Sequence, residues 1–179
     1  SGACSVSYDV ASQRVLVASR RADSLAVIDV SKPALPALLG SLVDGTSLDG
    51  AAGVAYDAAT RRAIVVSEHA DSLAVVCVPS STVLTASECG RSLTLLGANA
   101  DSNSLEGAHA VTYDAGAQMA LVASASADSL TIVDLADATR PTLVGVLVDA
   151  SSLDGARAVA FDPVRKLAFV ASEAADSLS

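Results

Sequence analysis

One phrase recurs through the chain. It reads Ala22-Asp23-Ser24-Leu25-Ala26-Val27-Ile28-Asp29, then Ala70-Asp71-Ser72-Leu73-Ala74-Val75-Val76, then Ala127-Asp128-Ser129-Leu130-Thr131-Ile132-Val133-Asp134, then Ala175-Asp176-Ser177-Leu178. Its aspartates stand 48, then 57, then 48 residues apart. Self-similarity at such a period marks a repeat architecture, in which each unit buries its apolar surface against the next. The units are residues 1–48, 49–105, 106–153 and an incomplete 154–179.

Each unit opens on a glycine (Gly2, Gly50, Gly107, Gly155) and a short run such as Val54-Ala55-Tyr56-Asp57 or Val111-Thr112-Tyr113-Asp114. A polar turn leads to a second apolar run, the Asp-Ser turn to a third, and a fourth follows, as in Leu38 to Val43 and Leu143 to Val148. Runs of four to eight residues rich in Val, Ile and Leu, bounded by Gly, Pro, Asp and Ser, predict strands. Paired-helix repeats share this period, but no segment sustains a helical apolar stripe over ten residues. Four short antiparallel strands per unit make a β-propeller blade, so the expected fold is all-β, with about three and a half blades present. Tyr8, Tyr56, Tyr113 and Phe161 fall at equivalent first-strand positions and read as blade-packing residues.

The third strand of the first unit, with its continuation, is Leu25-Ala26-Val27-Ile28-Asp29-Val30-Ser31-Lys32-Pro33-Ala34-Leu35-Pro36. It resembles the LVIVD repeat, and Leu130 to Leu135 with Arg140-Pro141 resembles it more loosely. That resemblance implies a β-propeller, often a surface or secreted one, and implies no shared enzymatic activity.

The second unit departs from the pattern. Cys77 stands where Asp29 and Asp134 stand, and the link from Pro79 to Arg91 is nine residues longer and contains Cys89. The two cysteines predict either a disulfide, which implies an oxidising compartment, or two unrelated thiols. Cys4 is left over. The fourth unit stops where its third strand should begin. The chain begins at Ser1 without a methionine and reads as a window cut from a longer propeller. The alternative is two chains completing one ring, with the open sheet edges inviting self-association.

Charge sorts by strand end. In a four-stranded meander, the loops after strands two and four share one face. They carry Asp23, Asp44, Asp49, Glu68, Asp71, Asp101, Glu106, Asp128, Asp149, Asp154, Glu173 and Asp176 against Arg20, Arg21 and Arg157. On the other face the acids, Glu88 among them, and the bases balance, so the whole net charge of −9 falls on the first face. That charge disfavours nucleic acid and anionic membrane as partners and steers basic ones. With aromatics at 3% and no Trp, no base-stacking platform is available. No run of about 18 apolar residues is present to span a bilayer.

For Asp23, Asp71, Asp128 and Asp176 the simpler reading is an Asx turn before each third strand. The alternative is weak calcium coordination by clustered carboxylates, although no fixed-spacing calcium loop is present. His69 reads as a solvated loop residue. His109 matches Cys4, Ala52 and Arg157 in the other units, a position facing the propeller's mouth, so His109 and Arg157 are the candidate ligand contacts there. No G-x-S-x-G, Walker loop, dinucleotide fingerprint or Cys/His metal set occurs. The expected function is therefore a non-enzymatic scaffold that binds a protein or small ligand, without a cofactor, through an acidic face that includes Asp44, Asp49, Asp149 and Asp154. The alternatives are an enzyme with a central site partly supplied by further blades, and a calcium-stabilised adhesion module.

Overall fold

The computed structural model describes residues 2–79 and 89–179. Among the described residues, fifteen strands form four antiparallel meanders. The first sheet is β1 (Ala3–Asp9), β2 (Arg14–Ser19), β3 (Ser24–Asp29) and β4 (Ala37–Val43). The second is β5 (Ala51–Asp57), β6 (Arg62–Ser67), β7 (Ser72–Cys77) and β8 (Thr94–Ala100). The third is β9 (Ala108–Asp114), β10 (Met119–Ser124), β11 (Ser129–Asp134) and β12 (Thr142–Val148). The fourth is β13 (Ala156–Asp162), β14 (Leu167–Ser172) and the two-residue β15 (Ser177–Leu178). β15 starts a third strand that the sequence reading left out of the last unit. The 3-10 turn Arg20–Ala22 follows β2.

The sheets fan out as propeller blades: β1 packs on β5, β5 on β9, and β9 on β13, so the first strand of each blade is innermost. Burial follows from position in the fan. β7 lies between neighbouring blades and is buried at all six residues, whereas β2 alternates buried and half-buried because only one of its faces is covered. Ile64-Val65-Val66 therefore reads as an unbroken apolar run: its successive side chains point to opposite faces of the sheet. Val65 joins the core shared with Leu16, Leu25 and Val27, while Ile64 and Val66 join the one shared with Val122 and Val133.

Each interface is built on the same plan. The loop after a fourth strand inserts one leucine, Leu48, Leu105 or Leu153, which is at most 2% exposed. Serine hydroxyls of the following blade close the loop by donating to a carbonyl: Ser72 Oγ to Ser47 O at 2.9 Å, Ser129 Oγ to Ser104 O at 2.9 Å, and Ser177 Oγ to Ser152 O at 2.6 Å.

Candidate functional site

At the start of each innermost strand the ladder slips by one residue. Pairing with the second strand skips Cys4 in the first blade, Ala52 in the second, His109 in the third and Arg157 in the fourth. An unpaired residue in such a bulge has its side chain re-aimed out of the sheet. The equivalence of these four positions was legible in the repeat; the bulge that turns them was not.

Behind them runs a second set at the end of each second strand: Arg20, Glu68, Ala125 and Glu173. Arg20 Nη2 contacts Glu68 Oε2 at 2.5 Å and lies 3.5 Å from His109 Nδ1, which is itself 4.0 Å from Glu68 Oε2. Arg157 pairs with Glu173. Groups from all four blades thus form one ionic line across the mouth. Burial, and then the charge of Arg157, push the His109 imidazole below its ordinary value, with Glu68 opposing and Arg20 reinforcing. The lowered imidazole can accept a proton, while Arg20 is held by Glu68 and Arg157 by Glu173. Sequence reasoning set His109 and Arg157 at the mouth and counted Arg20, Glu68 and Glu173 only among the loop charges of the acidic face. Their signal was present, since these charges occupy one repeat position, but it was indistinguishable from solvated loop variation. His69 is exposed and stands 3.3 Å from Asp49.

The phrase aspartates do not form the turns expected of them. Asp23, Asp71, Asp128 and Asp176 adopt left-handed backbone, with φ of 46, 46, 48 and 49°. This geometry swings the carboxylate away from its own turn and across to the next blade. Asp23 Oδ1 accepts from Gly50 N, Asp71 Oδ1 from Gly107 N, and Asp128 Oδ1 from Gly155 N, each at 3.0 Å. Each aspartate therefore staples one blade to the next, while the Asp176 side chain is exposed.

The Asx turns lie instead after the fourth strands. Asp44 Oδ1 accepts from Thr46 N at 2.8 Å, Asp101 Oδ1 from Asn103 N at 2.8 Å, and Asp149 Oδ1 from Ser151 N at 2.9 Å. Hydrogen bonds from Ser151 and Ser152 hold the Asp149 carboxyl below its ordinary value, as those from Asn103 and Ser104 do for Asp101. The Asp49 carbonyl accepts from His69 N and Ala70 N, and the Asp154 carbonyl from Ala174 N and Ala175 N. The acids form a rim of separate turns around the mouth. Among the described residues no three His, Cys, Asp or Glu side chains converge as a metal-ligand set, so the calcium candidates stand apart, one per blade.

The antiparallel order of the sheets places the loops after strands two and four at one end of the blades, which is the acidic end. Glu88, counted with the opposite face, lies outside the described residues. Cys77 and Cys89 are joined as a disulfide, with Cα atoms 5.0 Å apart, and Cys4 is an exposed free thiol. Among the described residues no helix is long and apolar enough to cross a membrane.

The LVIVD repeat model matches residues 17–44 and 120–149, the second to fourth strands of the first and third blades. No curated protein matches the sequence. Among solved structures, the chain is similar to the periplasmic gluconolactonase of Pseudomonas aeruginosa, with a TM-score of 0.76 at 16% identity, over 98% of this chain and 48% of that one. It is likewise similar to the Cps50 (Swd1) β-propeller domain of Myceliophteria thermophila, with a TM-score of 0.73 at 13% identity, over 98% and 49%. A protein from Lactobacillus plantarum gives a TM-score of 0.74 at 15% identity, over 94% and 50%. The chain spans about half the length of these structures. At such identities the likeness establishes a shared fold.

Proposed function

We propose that this chain, an LVIVD-repeat β-propeller, serves as a non-enzymatic binding scaffold that takes a basic partner on its acidic loop face. One observation carries the reading: among the described residues, twelve acids against three arginines fall on the turns at one end of the blades, while acids and bases nearly cancel at the other. A one-signed surface raises the local concentration and the association rate of oppositely charged partners. The Asx turns add to this by keeping Asp44, Asp101 and Asp149 in fixed places. The Cys77–Cys89 disulfide supports an extracellular or cell-surface setting, where such bonds persist. Reversing Asp44, Asp49, Asp149 and Asp154 to lysine together tests the reading with an arginine-rich peptide as probe. Binding should fall, and the wild-type affinity should weaken steeply with added salt. Equal binding by both proteins would sink the acidic-face idea.

A second reading is favoured by the ionic line at the mouth. His109 and Arg157, flanked by Arg20, Glu68 and Glu173, could act on a small molecule in the centre of the ring. The gluconolactonase among the similar structures makes lactone hydrolysis the first reaction to assay. Activity in the intact protein that disappears in His109→Ala would favour this reading over the scaffold.

A further inference from the structure

Every blade has two apolar faces, because successive residues of its strands point to opposite sides of the sheet. At the first interface Leu16, Ala18 and Leu25 of one blade pack with Val54, Ala63 and Val65 of the next, and all of them are buried. The repeat carries both halves of this contact to the two ends of the fan. On the fourth blade Phe169, Ala171 and Leu178 hold the places of Leu16, Ala18 and Leu25. On the first, Val6, Val15 and Val17 hold those of Val54, Ala63 and Val65. At the ends that burial is missing or partial. Leu16 is 1% exposed and Leu25 0%, but Phe169 is 45% and Leu178 75% exposed. Val54 is 7% exposed, but Val6 is 67%.

The polar parts of the contact are left over in the same two places. Asp176 shares the left-handed backbone of the three stapling aspartates, and its exposed carboxylate meets no donor among the described residues. Gly2 holds the place of Gly50, Gly107 and Gly155, and its N–H meets no acceptor among the described residues. Charge agrees as well. Arg20 at the end of β2 meets Glu68 at the end of β6, and the fourth blade carries Glu173 at that position, opposite in sign to Arg20.

We propose that a second copy of this chain covers both faces at once. The fourth blade of each copy packs on the first blade of the other, and Asp176 accepts from the partner's Gly2 N–H. Two observations select a copy of the chain over any other occupant. Each chain carries both halves of the contact, already matched to each other by the interface between its own first two blades. The chain also spans about half the length of the propellers it is similar to, so two copies related by a half-turn supply one ring. Removing the apolar end faces from water drives the association. Residues 1–179 bring no counterpart of Leu48 to this contact, so the dimer should dissociate on dilution. This surface stands independently of the acidic face.

The test is sedimentation velocity of the protein across micromolar concentrations, with Cys4→Ala throughout so that the free thiol cannot cross-link chains. The expected result is a reversible monomer–dimer equilibrium with nothing larger. Val6→Asp and Leu178→Asp each place a charge on one exposed end face, so each variant alone should be a folded monomer. Mixed, the two variants retain one sound pair of faces and should form a one-to-one dimer. Asp176→Ala should weaken the parent dimer about tenfold for each staple lost. A monomer at every concentration overturns the proposal and assigns the faces to another segment or another partner. A mixture of the two variants that stays monomeric overturns the pairing of first blade with fourth, and species larger than a dimer overturn the closed ring.

Discussion

The staple that joins the first two blades at the acidic end, Asp23 to Gly50, recurs unchanged as Asp71 to Gly107 and Asp128 to Gly155. At the opposite end each interface is closed by different residues. Arg14 donates to Pro79 O in the first, Thr139 lies over Gly97 in the second, and Lys166 reaches across to Asp114 at 2.7 Å in the third. A device that every interface needs repeats with the unit, because each blade presents the same problem of holding the next. Departures from the repeat show where the chain does something local. The disulfide-bearing connection of the second blade is such a departure, and so is the unequal occupancy of the four mouth positions.

The contrast can be broken at both ends. The largest effect is expected from the irregular connection itself. Replacing Cys77 and Cys89 together by alanine should cost about 3 kcal/mol in denaturant unfolding, the value for a loop of this length. Next come Gly97 and its first-blade counterpart Gly40. Gly97→Ala forces a methyl against the Thr139 carbonyl and should cost about 2 kcal/mol, whereas Gly40→Ala should be nearly silent. Equal losses would erase the distinction between the two interfaces. At the acidic end, Asp71→Ala orphans the Gly107 N–H and places alanine in left-handed backbone, for a loss of about 2 kcal/mol. Asp71→Asn keeps the Oδ1 acceptor and tolerates that backbone, so it should lose less. A staple that matters would separate the two variants in thermal melts.

The smallest effect is on pH dependence. His109 in the folded protein lies below its ordinary value of 6.5, so the unfolded chain binds its proton first as pH falls. Its contribution is intact above 6.5 and is lost as pH drops from there through the folded value. Asp101 and Asp149 lie below the ordinary 3.8, so their contribution is present above 3.8 and lost as pH falls through the depressed values. Melting curves of the wild type should therefore begin to shift just below 6.5. In His109→Gln that first shift should vanish and leave only the carboxylate one.

The blades were legible because strand chemistry is local: short Val- and Leu-rich runs between Gly, Pro and Asp punctuation need no distant partner to be recognised. The Cys77–Cys89 pair was legible for the same reason, both cysteines falling in the one segment that breaks the repeat. The repeat also marked Asp23, Asp71 and Asp128 as structural but named the wrong hydrogen bond. An aspartate's local turn is written in the next two residues, whereas a bond to Gly50 or Gly107 depends on how two sheets are set against each other. The mouth shows the same division. His109 and Arg157 stood out by their place in the unit, while Arg20, Glu68 and Glu173 joined them only once four blades were arranged around a common centre.

By itself, then, the sequence determined the strand order, the period, the disulfide-bearing irregularity and the end of the blades to which the negative charge belongs. These follow from backbone preference and an antiparallel meander, which act over a few residues at a time. Tertiary structure alone decided the inter-blade staples, the bulges that re-aim the mouth residues and the ionic line. Each of these depends on distances between residues from different blades, and those distances are set by packing the apolar faces of neighbouring sheets.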